Sequence, residues 1–221
     1  MSAQVVVLDA GTGNVRSAVR ALQRVGAQVQ LTADYSAVMA ADGLVVPGVG
    51  AFRTVMDKLQ RVRADRMIER RIAGGQAVLG ICVGLQVLFD CGTERADDAD
   101  TGAWPGLGQW PGSVDVLPAE VVPHMGWTPV HAHRDSTLLA GLDGERFYFV
   151  HSYAVQSDPA QALARESTFN EASVPKVSWA YHGADFVAAI EQGALSATQF
   201  HPEKSGDAGA ELLHHWVQSI I

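Results

Sequence analysis

At 221 residues, 48% of them hydrophobic, the chain is long enough for one well-buried core and suits one domain or a domain with an inserted lobe. A net charge of -8 and a pI near 5.4, with no basic cluster, argue against a nucleic-acid binder. No apolar run approaches the ~18 residues of a membrane span. Arg61, Arg63, Arg66, Arg70 and Arg71 lie close together, but Asp57, Asp65 and Glu69 interrupt them, which reads as a solvated helix face. The stretch from Met1 to Leu8 offers neither a basic leader nor an h-region of sufficient length, so a cytoplasmic location is expected.

In chain order, Gln4 to Leu8 is a β-branched apolar run, as expected of a buried parallel strand. Gly11-Thr12-Gly13-Asn14 follows. Asn14 can cap a helix whose apolar positions Val15, Ala18, Val19, Leu22 and Val25 keep helical spacing before Gly26. The Gly-x-Gly turn lacks the third glycine of a dinucleotide fingerprint, since Arg16 stands there, and is weak evidence for a nucleotide site. Val29 to Leu31 and Leu44 to Val46 read as strands, the latter ending in a Pro47-Gly48-Val49-Gly50 turn. Helices are expected over Ala51 to Leu59 and Asp65 to Ala73. This alternation predicts an α/β fold with a mostly parallel central sheet, its functional face at the strand C-terminal ends.

The apolar run Ala77 to Ile81 leads straight into Cys82-Val83-Gly84-Leu85-Gln86, with Val87, Leu88 and Phe89 at helical spacing beyond. Glycines two residues either side of Cys82 give the pattern of a nucleophile elbow, with sulfur in place of a serine hydroxyl. A thiol at a helix N-terminus is biased toward thiolate. The alternative is a buried structural cysteine at an ordinary strand–helix turn. The helix predicted between Cys82 and Cys91 would hold their Cα atoms roughly 13 Å apart, too far for a disulfide, so both thiols should be free.

Glu94 to Gly102 is polar and acidic and reads as a surface loop. The second half is β-rich, with strand candidates at Ser113 to Leu117 and Phe147 to Val155. A hairpin is expected from Phe186 to Ile190 and Leu195 to Phe200 around Glu191-Gln192-Gly193, and Ala208 to Ile220 reads as a closing amphipathic helix. With no repeat or linker, residues 1–221 are expected to form a single domain.

A cysteine nucleophile needs a base, and the base an orienting partner. His201, directly after a strand and followed by Pro202-Glu203, is the candidate base, with Glu203 as acceptor for one ring nitrogen across an extended turn. Cys82, His201 and Glu203 then follow the logic of a triad. The alternative is a turn histidine beside a solvated acid. His131-Ala132-His133 has ligand spacing without a third ligand, His182 is a loop residue without an obvious partner, and His214 and His215 read as surface or packing residues.

Gly80-Ile81-Cys82-Val83-Gly84-Leu85-Gln86 and Gln199-Phe200-His201-Pro202-Glu203, with the Pro47 to Gly50 turn, resemble the class I (triad) glutamine amidotransferases over most of the chain. Gly11 to Asn14, Pro123-His124-Met125-Gly126-Trp127, Tyr148-Phe149-Val150-His151-Ser152-Tyr153 and His201 to Gly206 are similar to the glutaminase subunits of imidazole glycerol phosphate synthases. That family often has Asn where Thr128 stands.

The resemblance implies a flavodoxin-like fold. It also implies glutamine hydrolysis through Cys82, His201 and Glu203. Oxyanion donors would be Val83 and the turn at Val49 and Gly50, and Gly50, Gln86, Ser152 and Tyr153 would seat the substrate. A heterodimer with a (β/α)8-barrel cyclase is implied, with Asn14, Trp127, Tyr148 and Lys204 facing it, in histidine biosynthesis and with no metal or organic cofactor. By its residue type alone Trp127 could equally be core. Two other readings stand beside this one: a glutaminase serving a different acceptor, and a non-catalytic sensor with a merely reactive Cys82.

Overall fold

A computed structural model describes residues 2–11, 15–94, 102–165 and 174–221. Asn14, Thr12 and Gly13, and most of the expected acidic loop, lie outside them. The first half alternates as expected: β1 (Gln4–Leu8), α1 (Arg16–Arg24), β2 (Gln28–Thr32), α2 (Tyr35–Ala40), β3 (Gly43–Gly48), α3 (Phe52–Arg61), α4 (Ala64–Ala73) and β4 (Ala77–Cys82). α2 carries no clear apolar period; its signal is Asp34, whose carboxylate accepts from the Ala37 N–H at 2.9 Å as an N-cap.

The chain beyond Cys82 departs from expectation. α5 is a single turn, Val83–Gln86, and β5 (Phe89–Gly92) follows as a strand. Val87, Leu88 and Phe89 are all buried, so the run has no polar face to hold it helical. Phe89 pairs in register with Trp110, their rings 5.6 Å apart, and this tertiary contact selects strand. Cys91 therefore lies on β5, and both cysteines are free.

Next come β6 (Trp104–Pro105), β7 (Trp110–Val116), β8 (His124–Pro129), β9 (Arg146–His151), β10 (Tyr153–Val155) and α6 (Pro159–Ala164). The strand expected from Phe147 to Val155 is thus two strands in different sheets, parted at Ser152. β11 (Lys176–His182), β12 (Ala184–Gln192), β13 (Leu195–Thr198) and α7 (Gly206–Gln218) complete the chain. His182 closes β11 rather than lying in a loop. Its ring stacks on His124 at 4.3 Å and its Nε2 meets the Val121 carbonyl at 2.7 Å.

The main sheet has the order β11-β12-β13-β4-β3-β1-β2, with β13 through β2 parallel and the β11-β12-β13 edge antiparallel. β4 is its central strand. A four-stranded sheet (β10-β7-β5-β6) and a ribbon (β8-β9) are added by the second half. Burial from both sides explains the unbroken apolar runs of β1, β3 and β4. Arg71 is not on a solvated face. It is fully buried, and its guanidinium donates to the carbonyls of Val38, Ala41, Asp42 and Ala77, clipping α2 to the start of β4. No described helix is long and apolar enough to cross a membrane.

Candidate active site

The parallel register of the sheet builds the site. Gly48 pairs with Cys82 across β3 and β4, and Thr198 pairs with Ile81 across β13 and β4. The chain leaving β3 (Val49, Gly50), the corner at Cys82 and the segment Gln199 to His201 therefore emerge side by side at neighbouring strand ends, where ligands bind in open α/β sheets.

Cys82 sits at φ 57°, ψ -114°, one of only two non-glycine residues with positive φ among those described. Such backbone is strained for an L-residue and survives where its surroundings over-determine it. The glycines supply that constraint. A Cβ on Gly84 would collide with the Val46 carbonyl, and one on Gly80 would come within 2.5 Å of the Gly84 carbonyl. α5 thus lies against β3 and β4 with backbone on backbone, and Cys82 is pinned at the bend. With a one-turn helix behind it, the thiol gains little from a macrodipole, and local donors matter more.

His201 is held by its backbone. Its N–H donates to the Tyr148 carbonyl at 2.9 Å, and the Ser205 hydroxyl donates to the His201 carbonyl at 2.7 Å while accepting from the Tyr148 N–H at 2.9 Å. Pro202–Lys204 is a 3-10 turn rather than the extended turn expected, and the tighter bend still brings Glu203 Oε1 to 2.8 Å from His201 Nδ1. That contact fixes Nδ1–H as donor to the carboxylate and directs Nε2 to other work. Burial disfavours the imidazolium, but the Cys82 sulfur and the Glu203 carboxylate outweigh it and raise the His201 pKa to about 9. Among the described residues Nε2 itself has no partner at hydrogen-bond geometry, so the pull of the sulfur is one of proximity.

Around this pair lies a cavity of about 370 Å³, lined by Val49, Gly50, Cys82, Val83, Gln86, Ser152, Tyr153, His201 and Lys204 together with Ala51, Glu94, Pro123, Val150 and His151. Glu203 stands behind His201. Trp127 and Tyr148 sit beside the cavity: Trp127 is 48% exposed, its ring 6.1 Å from that of Tyr148, over which the Lys204 ammonium lies at 5.8 Å. Trp127 is therefore surface, not core. Among the described residues no group of His, Cys, Asp and Glu is arranged to hold a metal ion.

Glu94 is the residue that sequence reasoning missed. It was expected in a surface loop. Its carboxylate instead accepts from the Phe52 N–H at 3.0 Å at the cavity wall, with a pKa raised by burial and only partly restored by that bond. A contact across 42 residues leaves no local signal.

Fold and site together define an α/β protein with a strained cysteine at a strand–helix elbow and a His–Glu pair beside it. The family model for glutamine amidotransferase class-I matches residues 6–219. A solved structure described as a glutamine amidotransferase shares the fold, with a TM-score of 0.67 at 18% identity, covering 97% of each chain. The chain is 58% identical to imidazole glycerol phosphate synthase subunit HisH of Renibacterium salmoninarum, over 100% of this chain and 96% of that one. It is 55% identical to the HisH subunit of Streptomyces coelicolor, over 98% and 94%. The chain belongs to the class-I glutamine amidotransferases, and within them to the family of the imidazole glycerol phosphate synthase HisH subunits.

Proposed function

We propose that the chain hydrolyses glutamine at Cys82 and passes the ammonia to a (β/α)8-barrel cyclase subunit in the cytoplasm, which uses it to form imidazole glycerol phosphate and aminoimidazole carboxamide ribotide in histidine biosynthesis. Residues 1–221 act as one domain in this reading, which the continuous core shared by both halves supports.

His201 takes the thiol proton of Cys82, the sulfur bonds to the side-chain amide carbon of glutamine, and as the C–N bond breaks His201 delivers that proton to the departing ammonia. Water, deprotonated by His201, then cleaves the thioester to glutamate. Glu203 keeps the imidazole in the tautomer and orientation that both steps need. The oxyanion of each tetrahedral intermediate takes the Val83 N–H, at the start of α5, and a second N–H from Val49 or Gly50. Gly50 has φ +107°, so this turn has backbone freedom that other residues lack. Gln86, Ser152 and Tyr153 seat the substrate, and the Glu94 carboxylate offers the negative charge that a glutamine ammonium group requires. Trp127, Tyr148 and Lys204 face the partner: an exposed Trp127 backed by a half-buried Tyr148 and a cation is a suitable anchor at the cavity mouth.

The observation that carries the reading is the His201–Glu203 bond of 2.8 Å in the same cavity wall as a cysteine held at positive φ. Glutamate release, measured with and without the cyclase and its nucleotide substrate, tests it. We expect low activity alone, strong stimulation by the partner, and loss of at least about a thousandfold in Cys82→Ser. Equal activity in both conditions would refute the coupling, and an undiminished Cys82→Ser variant would refute the nucleophile.

A further inference from the structure

The chemistry above leaves Gln199 without a task, although it is fully buried against the reacting sulfur. It is the first residue past β13, its backbone N–H donates to the Ala188 carbonyl at 2.8 Å, and its side-chain Nε2 lies 3.8 Å from Cys82 Sγ. We infer that Gln199 is a positioning residue for the nucleophile, its amide N–H holding the Cys82 sulfur as thiolate, and that neighbouring groups force the amide into that orientation. This rests on Cys82 being the nucleophile and adds a requirement to it.

An amide nitrogen and oxygen have almost the same shape, so the contact favours a thiolate only if nitrogen faces the sulfur. The surrounding network decides this without ambiguity. The Tyr153 carbonyl can only accept, so the Gln86 atom 2.8 Å from it must be Nε2. The same Nε2 lies 3.1 Å from the Gln199 side chain, which must therefore present its oxygen there. The Gln199 nitrogen is left to face Cys82.

The Tyr153 carbonyl is itself fixed from the other side. His151 Nδ1 lies 3.0 Å from it and must be the protonated nitrogen. His151 Nε2 then accepts from His124 Nδ1 at 3.2 Å, and His124 Nε2 accepts from the Thr128 hydroxyl at 2.8 Å. Burial first, then repulsion from His182 at His124 and from His124 at His151, lowers the pKa of His124 to about 4 and of His151 to about 3, so both rings are neutral and keep one tautomer at neutral pH. A hydrogen bond to a thiol is weak, whereas one to a thiolate is charge-assisted. Gln199 thus favours the reactive form of the sulfur, the role a longer helix behind Cys82 would otherwise share.

The test is the pH dependence of Cys82 alkylation by iodoacetamide on the full chain, with peptide mass spectrometry separating Cys82 from Cys91. Gln199→Glu keeps the shape and the acceptor toward Gln86 but sets a carboxylate oxygen against the sulfur. Gln199→Met removes the donor without adding charge. Both are expected to slow Cys82 alkylation at pH 7 at least fivefold and to move its profile to higher pH, with Cys91 alkylation unchanged and kcat reduced more than KM is altered. Folded variants that alkylate Cys82 as the native chain does would overturn the inference. Should neither variant fold, the native chain decides: the Gln199 side-chain 15NH2 resonances must shift along the same pH curve as Cys82 alkylation, and resonances that stay put overturn it. Glutamate release by the native chain with its partner is read separately. Its absence would refute the glutaminase reading and leave the alkylation result standing.

Discussion

Thr198 of β13 lies directly opposite Ile81 of β4 in parallel register. The residues that follow on each strand, Gln199 and Cys82, therefore leave the sheet together, and two positions further on His201 reaches the same cavity. A slip of one residue in this pairing would turn every side chain of β13 to the opposite face.

Glu203→Gln tests the orienting carboxylate. The variant keeps a hydrogen-bond acceptor for His201 Nδ1 but loses the charge. We expect kcat to fall between about a hundredfold and ten-thousandfold. In the native chain NMR should follow His201 titrating near 9, and the midpoint should move down in the variant. The stability sign follows. The folded value of about 9 lies above the unfolded value of about 6.5, so this contribution is full below pH ~6.5 and is lost as pH rises toward 9.

The opposite sign holds for the buried histidine pair. His124 and His151 have folded pKa values of about 4 and about 3, below those of the unfolded chain. Between pH ~6.5 and those values the unfolded state binds more protons, so stability falls as pH drops through that window. Denaturant melts at pH 7 and pH 4.5 should differ by a few kcal/mol, roughly 1.4 kcal/mol for each pH unit of each neutral ring. A His151→Phe variant should show a shallower acid loss. Equal melts for the native chain at both pH values would contradict the neutral pair.

Gly84→Ala should fail structurally before it fails chemically. Its Cβ would run into the Val46 carbonyl, and backbone atoms of a central strand cannot move aside as a flexible side chain would. A loss of about 3 kcal/mol or more is expected from chemical denaturation, with Cys82 displaced and glutamate release lost. A stable, active Gly84→Ala chain would contradict the close packing of α5 on β3.

Arg71→Met should cost about 3 to 5 kcal/mol, because it takes the guanidinium donors from the buried carbonyls of Val38 and Ala41 and the partly buried ones of Asp42 and Ala77. Its site is remote from the cavity around Cys82, so kcat of the surviving folded fraction should be unchanged. A concentration-corrected activity assay beside a denaturant melt separates the two effects.

Local chemistry made much of this protein legible from its residues alone. Apolar runs bounded by glycine marked β1, β3 and β4, and the glycines flanking Cys82 marked an elbow because only they admit backbone against backbone. His201-Pro202-Glu203 marked a base with its orienter because the two side chains are neighbours in the chain. What tertiary structure decided were the matters that depend on partners far away in sequence. Phe89 became strand because Trp110 was there to pair with it. Arg71 was buried because four carbonyls from other segments could accept hydrogen bonds from its guanidinium. Glu94 joined the cavity through the Phe52 N–H, and the amide of Gln199 faced sulfur only because the Tyr153 carbonyl, 46 residues earlier, oriented Gln86 between them. Short-range propensity and spacing carry information about neighbours. The direction of a buried hydrogen bond is set by whichever donors and acceptors the fold assembles around it.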